Sequence, residues 1–214
     1  MIRKGFILVL AIFCLNLNTS KIFAAANPFL DVPAGHWAYN SVVSLTSKKI
    51  IEGYGDGTFR GNRNITRYEA TTIIAKLLSQ SNTNINPKLG KITPFTDVSQ
   101  NHWAYKFVKF NYDAKINRGY DDRTFRGDRN ITRYEMAQMI SNIFKTVKDL
   151  QSRSVNPFSD VTNSHWALEA IIKLSSEGII EGYGDGTFRG NRNITRYEAA
   201  VMIARASVLL SRSE

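Results

Sequence analysis

Cysteine is nearly absent from this sequence of 214 residues, and histidine is scarce. The single cysteine, Cys14, lies inside an apolar run near the amino terminus. If that run is removed during export, the remaining chain has no thiol, which excludes disulfide bonds, thiolate metal sites and a cysteine nucleophile. His36, His102 and His165 lie far apart with no complementary ligands at metal-site spacing, so we expect neither a metal nor another cofactor.

Long hydrophobic runs are equally scarce, because only residues 5–15 form one. Arg3 and Lys4 precede this run, and Ala24-Ala25-Ala26 follows it as a small-residue cleavage site, a pattern typical of a secretory signal peptide. The run is shorter than the roughly 20 residues that a membrane-spanning helix needs. We therefore predict a signal peptide at residues 1–26 and an exported mature chain without a transmembrane segment.

Acidic residues are outnumbered, since 28 lysines and arginines face 18 aspartates and glutamates, for a net charge of +10. Three of these cations and no acid lie in the predicted leader, so the mature chain carries +7. Its cations are distributed along the chain and form no continuous basic block. In an exported chain, this pattern predicts no nucleic-acid partner.

What the sequence has instead is self-similarity. Residues 52–70 read EGYGDGTFRGNRNITRYEA, residues 181–199 repeat all 19 of them, and residues 118–136 match at 14 of the 19 positions. In each copy a tryptophan precedes an arginine by the same interval, so the unit contains no insertion. The predicted boundaries are the signal peptide 1–26, repeat 1 at 27–80, a linker at 81–94, repeat 2 at 95–147, a linker at 148–156 and repeat 3 at 157–214.

Each repeat predicts a first helix that begins at His-Trp-Ala. A residue able to cap a helix precedes this tripeptide, namely Gly35, Asn101 or Ser164. In repeat 3, helical spacing places four apolar side chains on one stripe: Trp166, Ala170, Ile171 and Leu174.

A second helix is predicted after a glycine-rich turn, at the sequence Thr-Arg-Tyr-Glu. Its Thr-x-x-Glu spacing is that of a capping box, in which the threonine and the glutamate each satisfy the other's backbone amide. The predicted capping residues are Thr66, Glu69, Thr132, Glu135, Thr195 and Glu198. The apolar stripe of this helix in repeat 1 consists of Ala70, Ile73, Ile74, Leu77 and Leu78.

A unit of this size cannot bury two apolar stripes alone, because its surface is too large for its volume. Three units must therefore pack together, and so small a number favours a compact arrangement over an open solenoid. We predict a mainly α fold, with three tandem helix-loop-helix repeats packed as a pseudo-threefold module.

The triplicated Phe-x-Asp-Val, His-Trp-Ala, GYGDGTFRGNRNITRYE and following amphipathic helix resemble the S-layer homology (SLH) domain family. The resemblance implies a three-pronged helical module that anchors exported proteins to cell-wall glycans, often pyruvylated ones, in the cell wall, S-layer or periplasm. Two departures from the family pattern are tyrosine for alanine in Thr-Arg-Ala-Glu, and glycine (Gly61, Gly127 and Gly190) where proline is common. The Ile-Thr-Arg-Tyr-Glu-Met-Ala-Gln of repeat 2 is similar to porins that tether an outer membrane to peptidoglycan. Because the sequence ends at Glu214, we expect no cargo domain.

The resemblance also indicates site residues. Arg67, Arg133 and Arg196 are placed at the first position of the second helices, where free amides and the helix dipole favour an anion that the guanidinium can bind bidentately. Pairing with a nearby aspartate is the structural alternative. Trp37, Trp103 and Trp166 offer flat faces to a sugar ring or, equally, to the core.

Repeat 2 differs from the other two, because Asn111 replaces a stripe leucine, Arg118 replaces a glutamate, and Asp121 and Arg123 replace turn glycines. Either its ligand preference has changed or it mainly completes the assembly. The leading hypothesis for the whole chain is a binding module for anionic cell-wall glycan or modified peptidoglycan. The alternative is a structural protein that recruits or spaces another envelope protein, or tethers an outer membrane. No nucleophile stands beside a base at recurring spacing, so we expect no enzyme.

Overall fold

The computed structural model describes residues 28–81, 93–147, 150 and 155–211. Within these residues there are six α-helices and no β-strand, which confirms the predicted mainly α fold. The predicted signal peptide and most of both predicted linkers lie outside the described residues. The helices are α1 (Tyr39–Ser47), α2 (Arg67–Gln80), α3 (Tyr105–Asp113), α4 (Arg133–Val147), α5 (Leu168–Ser176) and α6 (Arg196–Ser211).

The helices pair across repeat boundaries. The first helix of a repeat packs against the second helix of the preceding repeat, α3 against α2 and α5 against α4. Helix α1 of repeat 1 packs against α6 of repeat 3, which closes the circle. The stripe predicted for α2 is buried as expected, but it is covered by a neighbouring repeat: Ala70, Ile73, Ile74, Leu77 and Leu78.

Three isoleucines join the repeats at the centre of the module. The Ile65 amide donates to the Ile194 carbonyl at 3.1 Å, the Ile131 amide to the Ile65 carbonyl at 3.1 Å, and the Ile194 amide to the Ile131 carbonyl at 3.0 Å. All three side chains are completely buried. Because each amide bonds to a different repeat, the three hydrogen bonds form a closed ring, which gives the module its pseudo-threefold axis.

The tyrosine of each Thr-Arg-Tyr-Glu packs directly against a glycine of the next repeat. The pairs are Tyr68 with Gly127, Tyr134 with Gly190, and Tyr197 with Gly61. A Cβ atom at any of these glycines would overlap the tyrosine ring. The two departures from the SLH pattern, tyrosine for alanine and glycine for proline, are therefore a single packing solution, in which the glycine leaves room for the ring.

The first helices begin later than predicted. Helix α1 starts at Tyr39, two residues after Trp37, and its cap is Ala38, not the expected Gly35. The His36 ring satisfies the amide of this N-cap residue, because its Nδ1 accepts a hydrogen bond from the Ala38 amide at 3.2 Å, and His102 and His165 do the same in their repeats.

The tryptophans therefore stand in the turn before the first helix. The prediction that Trp166 belongs to the buried stripe of α5 is wrong, because 59% of this side chain is exposed. Ala170, Ile171 and Leu174 are buried as predicted. Trp166 precedes the first residue of α5, so helical periodicity does not place its side chain on the buried face of that helix.

A buried polar cluster distinguishes the α2–α3 pair. The side-chain amide of Asn111 donates to the Thr71 carbonyl at 3.0 Å, and that of Asn117 donates to the Thr71 hydroxyl at 2.7 Å. Leucines occupy the position of Asn111 in the other repeats. Val108 of α3 packs in a small core separate from the main one, with Tyr68, Phe95, Val98, Ala104 and Phe125. This polar contact favours α2 as the partner of α3, because against another helix Asn117 would lose its hydroxyl acceptor and Asn111 would keep only the Phe107 carbonyl of its own helix.

A hydrogen-bonded turn connects the two helices of each repeat. In repeat 1 the Asp31 carboxylate accepts from the Phe59 and Arg60 amides, both at 2.7 Å. This holds Arg60 at a φ of 53°, and its side chain forms an ion pair with Asp56 at 2.7 Å. The same contacts recur in repeats 2 and 3. The turn thereby fixes the start of the second helix relative to the first.

The tyrosine–glycine contact predicts strong coupling between Tyr68 and Gly127. Gly127→Ala should lower the free energy of unfolding by about 1–3 kcal/mol, because the new methyl group meets the ring. Tyr68→Ala should lower it by about 3–5 kcal/mol. The double variant should cost no more than Tyr68→Ala alone, since the methyl group then enters vacated space, and denaturant unfolding measures all three. Gly55→Ala is the control, because its Cβ meets no atom within 4 Å. Additive losses would contradict this coupling.

Acid should destabilise the module in a defined window. Hydrogen bonds from the threonine side chain and then the arginine side chain in the turn lower the pKa of Asp56, Asp122 and Asp185 to about 2. Their stabilising contribution is therefore complete above the ordinary pKa of 3.8 and is lost as the pH falls toward about 2. Because these ion pairs are exposed, thermal melts followed by circular dichroism should show a modest fall in melting temperature over this window. The triple aspartate-to-asparagine variant should show a shallower fall, and an identical fall would contradict the assignment.

Candidate functional site

Each second helix begins with the same side-chain cap. The Thr66 hydroxyl accepts from the Glu69 amide at 3.3 Å, and the Glu69 carboxylate accepts from the Thr66 amide at 2.8 Å. The same reciprocal bonds recur in the other two repeats, between Thr132 and Glu135 and between Thr195 and Glu198. These capping boxes fix the arginine as the first helical residue in every repeat.

The amides at these helix starts are not free, so the expectation that they would favour an anion is wrong. The Arg67 amide donates to the Arg129 carbonyl at 2.9 Å, and the Tyr68 amide donates to the Gly127 carbonyl at 2.8 Å. Equivalent bonds begin α4 and α6. The next repeat occupies the place that an anion would take, because it supplies the carbonyl oxygens that these donors need.

The three arginine side chains are buried, with 5–7% of each residue exposed. Arg133 donates from Nε to the Phe188 carbonyl at 3.0 Å and from Nη2 to the Glu181 carbonyl at 2.9 Å. Its Nη1 lies 3.3 Å from the Glu198 carboxylate. Burial lowers the pKa of Arg67, Arg133 and Arg196, and the surrounding carboxylates oppose that shift.

These contacts join consecutive repeats in a circle of ion pairs. Arg67 lies 3.8 Å from Glu135, Arg133 lies close to Glu198, and Arg196 lies 3.8 Å from Glu69. The structural alternative of a nearby acidic partner is thus met, but the partner is the capping glutamate of the next repeat. Burial raises the pKa of Glu135 and Glu198, but hydrogen bonds from the capping threonine amide and the pull of nearby arginines outweigh it and keep both pKa values below the ordinary range.

The three tryptophans are exposed on the module surface: 63% of Trp37, 57% of Trp103 and 59% of Trp166 is accessible. Each ring stands edge-on to the tyrosine of the preceding repeat, at 6.0 Å between centroids. That tyrosine also packs on the capping histidine, as Tyr197 does on His36 at 4.1 Å. The tryptophan faces are therefore held in place yet open to solvent, and the core alternative does not describe them.

Two grooves beside a tryptophan are each assembled from all three repeats. In the Trp37 groove, Trp37 comes from repeat 1, Arg133 from repeat 2, and Glu181, Glu198 and Arg205 from repeat 3. Its volume is about 230 Å³.

The Trp166 groove is larger, at about 580 Å³, and combines Trp166 of repeat 3, Arg67 of repeat 1 and Arg118 of repeat 2. Trp103 and Arg196 hold the corresponding positions by the pseudo-threefold relation, which implies a third groove there, the Trp103 groove. The structure thus brings the predicted arginines and tryptophans together in pairs from different repeats.

Sequence reasoning missed an ion pair on the wall of two grooves. Glu181 bonds to Arg205 at 2.8 Å in the Trp37 groove, and Glu52 bonds to Lys76 at 2.6 Å at the corresponding place. The sequence did contain a signal for it. In repeats 1 and 3 alike, a glutamate is followed at the same interval by a lysine or an arginine, at equivalent positions of the two repeats.

Two further features concern only the part of the chain that the structure describes. There, no three histidine, cysteine or acidic side chains converge as a metal site would require. No described helix combines the length and the apolar character needed to cross a membrane.

Comparison with known proteins places these features in a family. The model of the S-layer homology domain matches residues 28–71, 94–137 and 157–200. Cell surface glycoprotein 1 of Acetivibrio thermocellus is 39% identical over 163 residues, which cover 73% of this chain and 7% of that protein. The cellulosome-anchoring protein of the same organism is 36% identical over 157 residues, 73% of this chain and 35% of that protein.

S-layer protein EA1 of Bacillus anthracis is 32% identical over 186 residues, which cover 86% of this chain and 20% of that protein. The chain therefore spans about a third or less of the length of these three relatives. The three matched segments take up more than half of this chain, and one lies in each structural repeat, from before its first helix into the start of its second. The predicted resemblance is confirmed, and the chain belongs to the S-layer homology domain family.

Proposed function

We propose that this module anchors the chain noncovalently to the bacterial cell envelope by binding cell-wall glycan, either a secondary cell-wall polymer or modified peptidoglycan. The observation that carries the proposal is the repeated groove, in which an exposed tryptophan stands beside a buried arginine. Relatives named as a cellulosome-anchoring protein and an S-layer protein support it. An exported location in the cell wall, S-layer or periplasm is part of the same proposal.

The tryptophan is the groove's main contact for a sugar. A rigid aromatic face that is more than half exposed can cover the apolar face of a sugar ring, and it loses little conformational entropy on binding. The arginine acts differently, because its guanidinium already donates to backbone carbonyls of the next repeat. We assign Arg67, Arg133 and Arg196 a double role: each joins two repeats and supplies positive potential at the floor of a groove, where an acidic substituent would lie.

Three grooves on one rigid module would bind a polymer by avidity. Once one groove is occupied, the next sugar residues are held at high effective concentration near the other two. Modest affinity at each groove is then sufficient for stable attachment to a wall that carries many copies of the ligand.

The groove chemistry favours binding over catalysis. In the Trp37 groove both carboxylates are engaged, Glu181 with Arg205 and Glu198 with Arg133 and its own helix cap. A glycoside hydrolase needs a carboxyl group free to donate a proton and a second one to act as nucleophile or base. The tethering of an outer membrane, as in the porins that repeat 2 resembles, stays a prediction.

The tryptophans provide the sharpest test. The Trp37→Ala/Trp103→Ala/Trp166→Ala variant should lose at least about tenfold in binding to purified sacculi, since each substitution removes a stacking face, and cosedimentation measures the bound fraction. Its melting temperature should stay close to that of the wild type, because the side chains are exposed. The equivalent triple arginine variant is less decisive, since it also removes bonds between repeats.

A matched control removes exposed apolar side chains elsewhere on the module. Leu30 and Val155 are 87% and 75% exposed and line none of the described grooves. Leu30→Ala/Val155→Ala should cosediment like the wild type. Full binding by the triple tryptophan variant, or wild-type protein that stays in the supernatant, would refute the proposal.

A further inference from the structure

Repeat 2 lacks the ion pair that closes the wall of the other grooves. Where repeats 1 and 3 pair Glu52 with Lys76 and Glu181 with Arg205, repeat 2 has Arg118 opposite Asn142. Asparagine is neutral, so this wall carries an added positive charge. Asn142 instead donates to the Ile116 carbonyl at 2.9 Å.

A second cavity opens on the other side of this wall. It has a volume of about 590 Å³, and we call it the Tyr112 cavity after the aromatic ring that lines it beside Phe95. Lys115 and Arg118 line both this cavity and the Trp166 groove. Each space lies within the range of about 300–1,000 Å³ that is usual for small-ligand sites. The two spaces therefore adjoin across two cationic side chains.

The Trp166 groove and the Tyr112 cavity are more positively charged than the Trp37 groove. The Trp37 groove has two arginines and two glutamates on its wall. The Trp166 groove has four cationic side chains and one carboxylate: Arg67, Lys115, Arg118 and Lys145 with Glu135. The Tyr112 cavity has three cationic side chains and one carboxylate: Lys115, Arg118 and Arg123 with Asp113.

Both carboxylates in this region are already engaged. Glu135 forms ion pairs with Arg129 and Arg67, and Asp113 pairs with Lys109 at 2.5 Å. Lys145 lies 3.4 Å from Glu169, but both of these side chains are exposed, so solvent screens their attraction. The positive potential across the two cavities therefore remains available to a ligand.

Arg67 is also held less completely than its equivalents. The Nε atoms of Arg133 and Arg196 each donate to a phenylalanine carbonyl at 3.0 Å. The Nε atom of Arg67 is buried and has no hydrogen-bond partner, and only 9% of this side chain is exposed. A buried donor without a partner is costly, so a ligand oxygen that draws this guanidinium toward the groove breaks fewer existing bonds.

We propose that repeat 2 carries a bipartite site for a glycan segment with acidic groups on at least two sugar residues. The segment lies across Arg118, with one sugar against Trp166 and another against Tyr112, which is 37% exposed. The site rests on the proposed glycan binding and adds to it a ligand class that the other grooves do not share. Polyanionic segments select repeat 2, while the Trp37 and Trp103 grooves accept neutral or singly charged sugars.

The test uses the full chain and acidic oligosaccharides of known length. Calorimetric titration at low salt with mono-, di- and tetragalacturonic acid should give affinity that rises with length, since only longer chains reach both cavities. Arg118→Glu/Arg123→Gly installs the side chains found in repeats 1 and 3, so it is compatible with the fold. It should lose about tenfold or more in tetragalacturonate affinity, and its affinity should depend less on salt. Neutral chitotetraose should bind both proteins alike.

Two further variants keep the result unambiguous. Lys48→Glu/Lys49→Gly makes an equal charge change of −3 outside both cavities, with glycine again at a residue of positive φ, and should leave tetragalacturonate affinity within about twofold of the wild type. Glu181→Arg/Arg205→Asn gives the Trp37 groove the wall of the second repeat and should raise tetragalacturonate affinity there. Length-independent affinity, unchanged affinity in Arg118→Glu/Arg123→Gly, or no binding of the acidic oligosaccharides would overturn the bipartite site.

The two proposals fail separately. Sacculus binding that depends on the tryptophans but not on Arg118 and Arg123, together with no preference for acidic oligosaccharides, refutes the bipartite site and leaves wall anchoring intact. Sacculus binding that survives loss of all three tryptophans refutes the proposed wall anchoring itself.

Discussion

The hydrogen bonds from the start of each second helix to the next repeat are the constraint on which the rest of the structure depends. The arginine and tyrosine amides donate to carbonyls of the following repeat, and the arginine and tyrosine side chains pack into it. Because repeat 3 makes the same contacts to repeat 1, the three repeats form a closed circle. The Trp37 and Trp166 grooves each take their tryptophan, their arginine and their turn from three different repeats, so these grooves exist only in the closed module.

Features within one segment of the chain could be predicted from the sequence, whereas the contacts between distant segments could not. The Thr66–Glu69 cap and the α2 stripe follow from spacing within one segment. The pairing of α1 with α6 does not, because periodicity shows that a face is buried without showing what covers it. The occupied amides of Arg67 and Tyr68 escape prediction for the same reason: their acceptors lie in the next repeat, far along the chain.

The same distinction holds for the candidate site, where the residues could be predicted but their surroundings could not. The sequence identifies the arginines and tryptophans, but it assigns the arginines an open position that the next repeat fills. Spacing alone places Trp166 on the stripe of α5 because it continues the helical pattern, although the helix starts two residues later. Nothing in the sequence indicates that Arg67 lies beside Trp166 or that Arg133 lies beside Trp37. Comparison of the repeats shows which residues are equivalent, but not which residues of different repeats are in contact.

The glycines, tyrosines, capping boxes and buried arginines are common to all repeats and hold the circle closed, while the groove walls vary in charge. Repeat 2 can therefore change Arg118 and Arg123 without losing its place in the assembly. Its buried contact from Asn111 and Asn117 to Thr71 further distinguishes it from repeats 1 and 3, whose turn segments are identical, and this reduces the risk that helices pair out of order.

The closed circle is tested most directly by native-state hydrogen exchange at the amides of Ile65, Ile131 and Ile194. If the ring holds the repeats in one cooperative unit, all three amides should exchange with the same free energy, equal to that of global unfolding measured in denaturant. Exchange of one of them through a lower-energy opening, with the other two still protected, would show that a repeat can detach by itself and would contradict the closed circle.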